Sequence, residues 1–235
     1  MKVEGSVVFV TGANRGLGLQ FAKEALSRGA KKVYGAARDP STVTLAGVIP
    51  VKLDVTHAAD LAAAAKQCTD VTLLINNAGI ARVGSVTQPE AGAVLREQIE
   101  TNVFGMLGVS QAFAGILGSN GGGAMLNLLS ILSWVNTPAI ACYGVSKAAA
   151  WALTNGLRHE LRAQGTQVVG FHAGFIDTDL TRGIDVPKAT PADVVSQAFD
   201  AVEAGEEEVM VDEPTRQVKQ GLSHGVYLKD VLAGG

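Results

Sequence analysis

The sequence predicts an α/β fold, a doubly wound parallel sheet of about seven strands with helices on both faces. Two observations carry this expectation. Short apolar, β-rich runs alternate with helical stretches along the chain, the pattern of a parallel sheet covered on both sides. A glycine-rich turn, Thr11-Gly12-Ala13-Asn14-Arg15-Gly16-Leu17-Gly18, then links the first strand to a helix.

The elements follow in order. The first strand is expected at 6–10 and its helix at 18–27, after the glycine turn. Strands at 32–36 and 48–53 follow, and Asp54-Val55 leads into a helix at 58–67. A fourth strand, 71–75, runs into Asn76-Asn77-Ala78-Gly79. The helical stretch 90–117 carries Gly105 and Gly108, which read as interruptions that would split it. A fifth strand at 124–129 ends at Ser130, and a helix at 143–162 begins at Tyr143. A strand at 167–171, a helix at 192–204 and a short strand at 208–211 complete the pattern. No repeat, low-complexity linker or change of composition marks a boundary, so residues 1–235 are expected to form a single domain.

Composition narrows the function classes. With 235 residues, 47% of them hydrophobic, the chain can bury a sizeable core. No apolar run approaches the ~20 residues a membrane helix needs, and a net charge of −3 gives no nucleic-acid footprint. The first residues enter a strand directly, without the apolar region of a signal peptide. Cys68 and Cys142 form no disulfide framework, and His57, His159, His172 and His224 are scattered. A soluble cytoplasmic protein with no structural metal, no membrane partner and no nucleic-acid partner is expected.

The residues with the clearest chemistry are Tyr143 and Lys147, four apart and hence on one helix face. A free phenol titrates near ~10, and a nearby cation favours the phenolate. That moves the group towards the range where general acid–base catalysis is efficient. In the glycine turn, glycines permit close approach of a pyrophosphate to the unpaired N–H groups of a helix N-terminus. The spacing is neither the standard dinucleotide fingerprint nor a P-loop.

Taken together, the glycine turn, Asn76-Asn77-Ala78-Gly79, Asn102, Ser130 and Tyr143-x-x-x-Lys147 resemble, in order and spacing, the short-chain dehydrogenase/reductase family. The resemblance runs from about Val3 to Leu180. It implies a Rossmann-type domain and an oxidoreductase that moves hydride between a nicotinamide and a ketone, aldehyde or secondary alcohol. It implies roles for Gly12, Asn14, Arg15, Leu17 and Gly18 at the pyrophosphate, and for Asp54 and Val55 at the adenine, with a helix-capping role also open to Asp54. Asn77, Ala78 and Gly79 would line the cofactor cleft or form a plain turn, and Ile176 and Thr178 would meet the nicotinamide. Tyr143 would exchange the proton, Lys147 would tune it and hold the ribose, and Ser130 would polarise the substrate oxygen. Asn102 would join a proton relay or serve as an ordinary helix residue. Ser133 rivals Ser130, but Ser130 directly follows a strand and faces the crevice more naturally.

The resemblance also frames cofactor choice. A family member preferring NAD places an acid at the end of the second strand; here that position is Ala37, followed by Arg38, with Arg15 across the adenosine site. Two guanidinium groups suit a phosphate, so NADP(H) is expected over NAD(H). Asp39 would be the NAD-type acid only after a register slip, and Asp39-Pro40 reads as the turn leaving the strand. Ile131, Val135, Ile140, Gly174, Phe175 and Leu180 are expected to shape an apolar substrate pocket, with Arg82 and Arg182 in flanking loops. The chain departs from the family pattern in three places: Ala173 where proline is common, a short 178–191 segment, and an unfamiliar ending from Asp212. A homodimer or homotetramer is expected. A non-catalytic dinucleotide-binding regulator or scaffold is the alternative function; a nucleotide-sugar epimerase would need a longer chain.

Overall fold

Five all-buried residues, Val7–Thr11, form β1 in the computed structural model, which describes residues 1–230 and, of Leu180, the backbone only. The remaining strands are β2 (Lys32–Ala37), β3 (Val48–Lys52), β4 (Leu73–Asn76), β5 (Ala124–Leu128), β6 (Gln167–His172) and β7 (Glu208–Met210). They form one parallel sheet in the order β3-β2-β1-β4-β5-β6-β7. Parallel strands need crossovers, and here these are α1 (Gly16–Ser27), α2 (Ala58–Gln67), α3 (Ala91–Ile99), α4 (Gly105–Ser119), α5 (Ala141–Leu161) and α6 (Pro191–Ala204), with α7 (Glu213–Gly221) after β7.

Side chains alternate along a strand, so the sheet feeds two cores. Val8, Val10, Leu73 and Leu126 pack with Phe21 and Phe199 of α1 and α6. Phe9, Leu74 and Met125 pack on the other face with Phe113 of α4 and Leu157 of α5. One polar chain crosses the second face: Asn76 donates to Ser110 and to Asn127, and Asn127 donates to Thr154. It ties α4, β4, β5 and α5 together directly below the strand ends that carry the site. Among the described residues, no helix is long and apolar enough to cross a membrane.

Most expected elements stand within a residue or two of their predicted limits. The third helical stretch divides: α3 ends at Ile99, a π turn spans Glu100–Phe104, and α4 starts at Gly105 with Gly108 inside it. Both glycines also serve contact. A Cβ on Gly105 would stand 2.6 Å from Val55 Cγ2, and one on Gly108 would stand 2.7 Å from Leu61 Cδ1. The unfamiliar ending also forms a helix, α7. Asp212 caps it by accepting from the Thr215 N–H, and Pro214 sits in its first turn. Asp-Glu-Pro-Thr is a readable start signal.

Candidate active site

The chain order reverses between β1 and β4, the point where a doubly wound sheet opens a crevice at the carboxyl ends of its strands. The turns after β1, β4, β5 and β6 meet there. In the first, Gly12 and Gly16 adopt φ values of +67° and +54°, a region unfavourable to other residues. No side chain caps the N-terminus of α1 at Arg15, so its N–H groups remain available to an anion. Gly18 is buried against the turn: a Cβ there would lie 2.1 Å from Gly12 O and 2.6 Å from Asn77 Nδ2.

Asn77 interlocks the two turns. Its Nδ2 donates to Thr11 O at 2.7 Å and Gly12 O at 3.2 Å, while Thr11 Oγ1 accepts from the N–H groups of Asn77 and Ala78. Asn102, buried on the π turn, holds the following residues. It accepts from Ile80 N–H at 2.8 Å, donates to Ile80 O at 2.8 Å, and donates to Ser146 Oγ at 3.0 Å. Its side chain thus clamps the β4 turn to α5, and the Gly79 backbone lies over it.

At the carboxyl end of β2, Ala37 is buried and Arg38 is exposed. Asp39 is occupied by its own turn, accepting from Ser41 Oγ at 2.7 Å and Ser41 N–H at 3.0 Å, and these bonds lower its pKa. Asp54 likewise binds the Thr56 N–H and hydroxyl, which hold its pKa down with help from Arg38. Asp54 is not the helix cap: His57 occupies that position in α2. Asp60, unnoticed in the sequence, fixes this loop by accepting from Asp54 N–H at 3.0 Å. That bond and those from His57 and Lys52 bring its pKa to about 2. An acid three residues after a helix start was the available signal. The Arg15 guanidinium pairs with Asp179 at 3.9 Å, and Asp179 also pairs with Arg182. Arg82 pairs with Glu97 at the surface.

Ser130 lies two residues beyond the end of β5 and caps a 3-10 turn, Ile131–Ser133. Tyr143 and Lys147 reach the same place from α5. Burial pushes the Tyr143 phenol above its ordinary range, and a hydrogen bond with Ser130 acts in the opposite direction. Lys147 is buried, its Nζ donates to Leu128 O at 2.8 Å, and it lies 5.7 Å from the Tyr143 ring centroid. Burial lowers its pKa to about 8, so it carries its charge at neutral pH.

Each serine hydroxyl accepts one turn N–H, Ser133 Oγ from Ser130 at 3.3 Å and Ser130 Oγ from Leu132 at 3.1 Å, and of the two it is Ser130 that acts on the Tyr143 phenol. Ser130→Ala is therefore expected to depress kcat by about 10²-fold, the scale for loss of a preorganised donor. Ser133→Ala should change it by no more than about threefold. Steady-state kinetics on both variants checks this, and the opposite ranking would move the role to Ser133.

Ile131 and Val135 are buried in a cluster with Leu132, Trp134 and Val218 of α7, and Tyr143 packs against it. Ile140 packs on that cluster and Phe175 is half-buried; Gly174 donates its N–H to Asp212 at 2.7 Å. Ile176 buries its side chain in the main core and bridges to Ala189, and Thr178 caps the short 3-10 turn Asp179–Thr181. The side chain of Leu180 lies outside the described residues.

The family model described as short chain dehydrogenase matches residues 6–188. Galactitol 2-dehydrogenase (L-tagatose-forming) of Cereibacter sphaeroides is 32% identical over 191 residues, covering 77% of this chain and 75% of that protein. The 11-beta-hydroxysteroid dehydrogenase A of Sesamum indicum is 33% identical, covering 77% of this chain and 55% of that protein. A short chain dehydrogenase from Burkholderia cenocepacia, solved in complex with NADP, superposes with a TM-score of 0.92 at 39% identity, covering 96% of this chain and 95% of that one.

Proposed function

The chain belongs to the short-chain dehydrogenase family, and from that premise we propose that it is an NADP(H)-dependent carbonyl reductase or alcohol dehydrogenase for apolar ketones, aldehydes or secondary alcohols. The observation that carries this reading is the gathering of Ser130, after β5, with Tyr143 and Lys147 of α5, whose Nζ donates to Leu128 O, at the carboxyl edge of the sheet beside the glycine cradle. A binding protein without turnover would need no such proton donor.

The residues present fit a dinucleotide. The cradle formed by Gly12, Asn14, Arg15, Leu17 and Gly18, held closed because Gly18 carries no Cβ to press on Gly12 O and Asn77, suits a pyrophosphate. Asp54, Val55, Asn77, Ala78 and Gly79 would hold the adenine and the body of the cofactor. Ile176, through its main chain, and Thr178 would hold the nicotinamide, with Lys147 at the ribose. When bound, the nicotinamide supplies or accepts the hydride. Ser130 Oγ orients and polarises the substrate oxygen. Tyr143 Oη gives that oxygen a proton in reduction, and the buried phenol is held in its protonated form. Lys147, charged at neutral pH, balances the negative charge left on the tyrosine. Asn102 acts by fixing the β4 turn against α5. The protein is read as a cytoplasmic homodimer or homotetramer.

NADPH preference rests on Ala37 and Arg38. The cap formed by Asp39 on Ser41 leaves that carboxylate engaged, and the Burkholderia cenocepacia relative holds NADP. kcat/KM with NADPH should exceed that with NADH by about tenfold or more, the scale of one charge-assisted contact. Arg38→Ala should weaken NADPH far more than NADH, and Ala37→Asp should shift preference to NADH by repulsion. Equal efficiency with NADH in the unmodified enzyme would hand the ribose to Asp39.

The function itself is tested by following NADPH absorbance with ethyl benzoylformate, acetophenone and acetone. The short segment over the site predicts that the aryl compounds are reduced and acetone poorly. NADPH binding without turnover of any carbonyl compound would favour the regulatory alternative.

A further inference from the structure

Behind Ser130 lies a buried cluster that the proposed reaction does not use. His172, the last residue of β6, has no exposed surface. Gly170, two positions earlier on the same face of the strand, makes room for it: a Cβ there would stand 3.3 Å from His172 Nε2. The imidazole stacks on Trp134 at 3.9 Å and 20°, and Trp134 meets Trp151 of α5 edge-on at 6.3 Å. Lys219 of α7 stands 4.8 Å from the Trp134 ring centroid and is bonded to Glu208 of β7 at 2.5 Å. Trp151 Nε1 donates to the same carboxylate at 3.4 Å. The ring is thus gripped from three elements.

Its one polar contact within hydrogen-bond distance is Nδ1 to Ser130 O, at 3.2 Å. A carbonyl oxygen only accepts, so Nδ1 carries the hydrogen. Nε2 is then a bare acceptor, which accounts for its having no partner and standing 3.7 Å from Glu208 Oε1. Of the charges facing the ring, Glu208 favours the imidazolium while Lys219 and Arg158 oppose it. Burial outweighs them and brings the pKa to about 4, so the ring is neutral at working pH.

We propose that His172 is a positioning residue for Ser130: its Nδ1–H fixes the Ser130 carbonyl and thereby the direction of the Ser130 hydroxyl towards Tyr143. The inference rests on the Ser130 role given above. Ser130 O accepts from Ser133 N–H at 3.0 Å and from His172, so both lone pairs are engaged. Ser130 N–H goes to Ser133 Oγ, and Ile131 N–H goes to Ala173 O at 2.8 Å. Without the ring donor, the Ser130 carbonyl keeps only the Ser133 N–H of its own tight turn, and the peptide can tilt about its Ile131 bond to Ala173 O, carrying with it the Ser130 hydroxyl that accepts from the Leu132 N–H at 3.1 Å. A misplaced catalytic group of this kind costs about 10- to 100-fold in rate.

Two substitutions separate the hydrogen bond from the packing. His172→Phe keeps a ring on Trp134 and loses the donor; His172→Asn loses the ring and keeps an N–H near the Nδ1 position. With ethyl benzoylformate and NADPH, the Phe variant is expected to lose about 10- to 100-fold in kcat, with KM and NADPH affinity within about twofold. The Asn variant should keep kcat within about threefold while its Tm falls by several degrees. In a Ser130→Ala background, His172→Phe should cost less than about twofold, because there is no hydroxyl left to aim. A silent His172→Phe, or one whose cost is the same in both backgrounds, overturns the inference while leaving the Ser130 role intact. A fully active Ser130→Ala removes both. Independently of turnover or of any variant, the ¹⁵N shifts of His172 in the full chain should report the Nδ1–H tautomer between about pH 6 and 8. An Nε2–H ring cannot donate to the carbonyl and ends the proposal.

Discussion

Tyr143→Phe is expected to reduce kcat by ~10²- to 10⁴-fold, the range for loss of a positioned general acid. This corresponds to about 3 to 5 kcal/mol of barrier. The substitution removes one oxygen and keeps the ring packed against the Ile131 cluster, so fold stability and NADPH affinity should be nearly unchanged. Lys147→Ala provides the contrast. Lys147 holds Leu128 O and is assigned the ribose as well as the charge beside the phenol, so its loss should damage both kcat and cofactor affinity. Measuring kcat and the NADPH Kd on both variants distinguishes the two patterns. A Tyr143→Phe enzyme with near-normal turnover would end the proposed mechanism.

The second large effect is expected at Gly18. In Gly18→Ala, the new Cβ would need to sit 2.1 Å from Gly12 O and 2.6 Å from Asn77 Nδ2. Both are fixed: Gly12 O accepts from Asn77, and Asn77 also holds Thr11 O. The helix and turn must therefore separate. Overpacking of this kind costs about 1 to 3 kcal/mol of stability. The larger loss should be in NADPH affinity, by about 30-fold or more, because the turn and the α1 N–H groups no longer converge on one anion. Gly156→Ala is the control. Gly156 lies exposed on α5 with nothing within 4 Å of an added Cβ, and the change should stabilise the protein by about 0.5 to 1 kcal/mol. Thermal denaturation and NADPH titration of the two variants check this. Unaltered affinity in Gly18→Ala would show that the turn does not cradle the cofactor.

The sequence by itself determined the sheet, its helices and the residues that gather at the crevice. Strands such as Val-Val-Phe-Val-Thr announce themselves through local composition, and chain order then places their ends together, because parallel crossovers leave few alternatives. Ser130, Tyr143 and Lys147 were readable for the same reason: each is tied to the end of a strand or to one face of a helix. Tertiary structure decided what depends on neighbours distant in the chain. Gly105 and Gly108 mark a helix division in the sequence, but their contacts with Val55 and Leu61 are recorded in no local pattern. Ile131 and Val135 share a buried cluster with Val218 of α7, a neighbour more than eighty residues away that local pattern does not reveal. Charge placement also depends on the folded chain. Four-residue spacing puts Lys147 on the helix face of Tyr143, but spacing does not fix where a long side chain ends, and here the ammonium meets Leu128 O while burial raises the phenol. Arg15 likewise meets Asp179, more than a hundred and fifty residues away in sequence. Side-chain direction and desolvation are properties of the packed interior, and only the folded chain defines them.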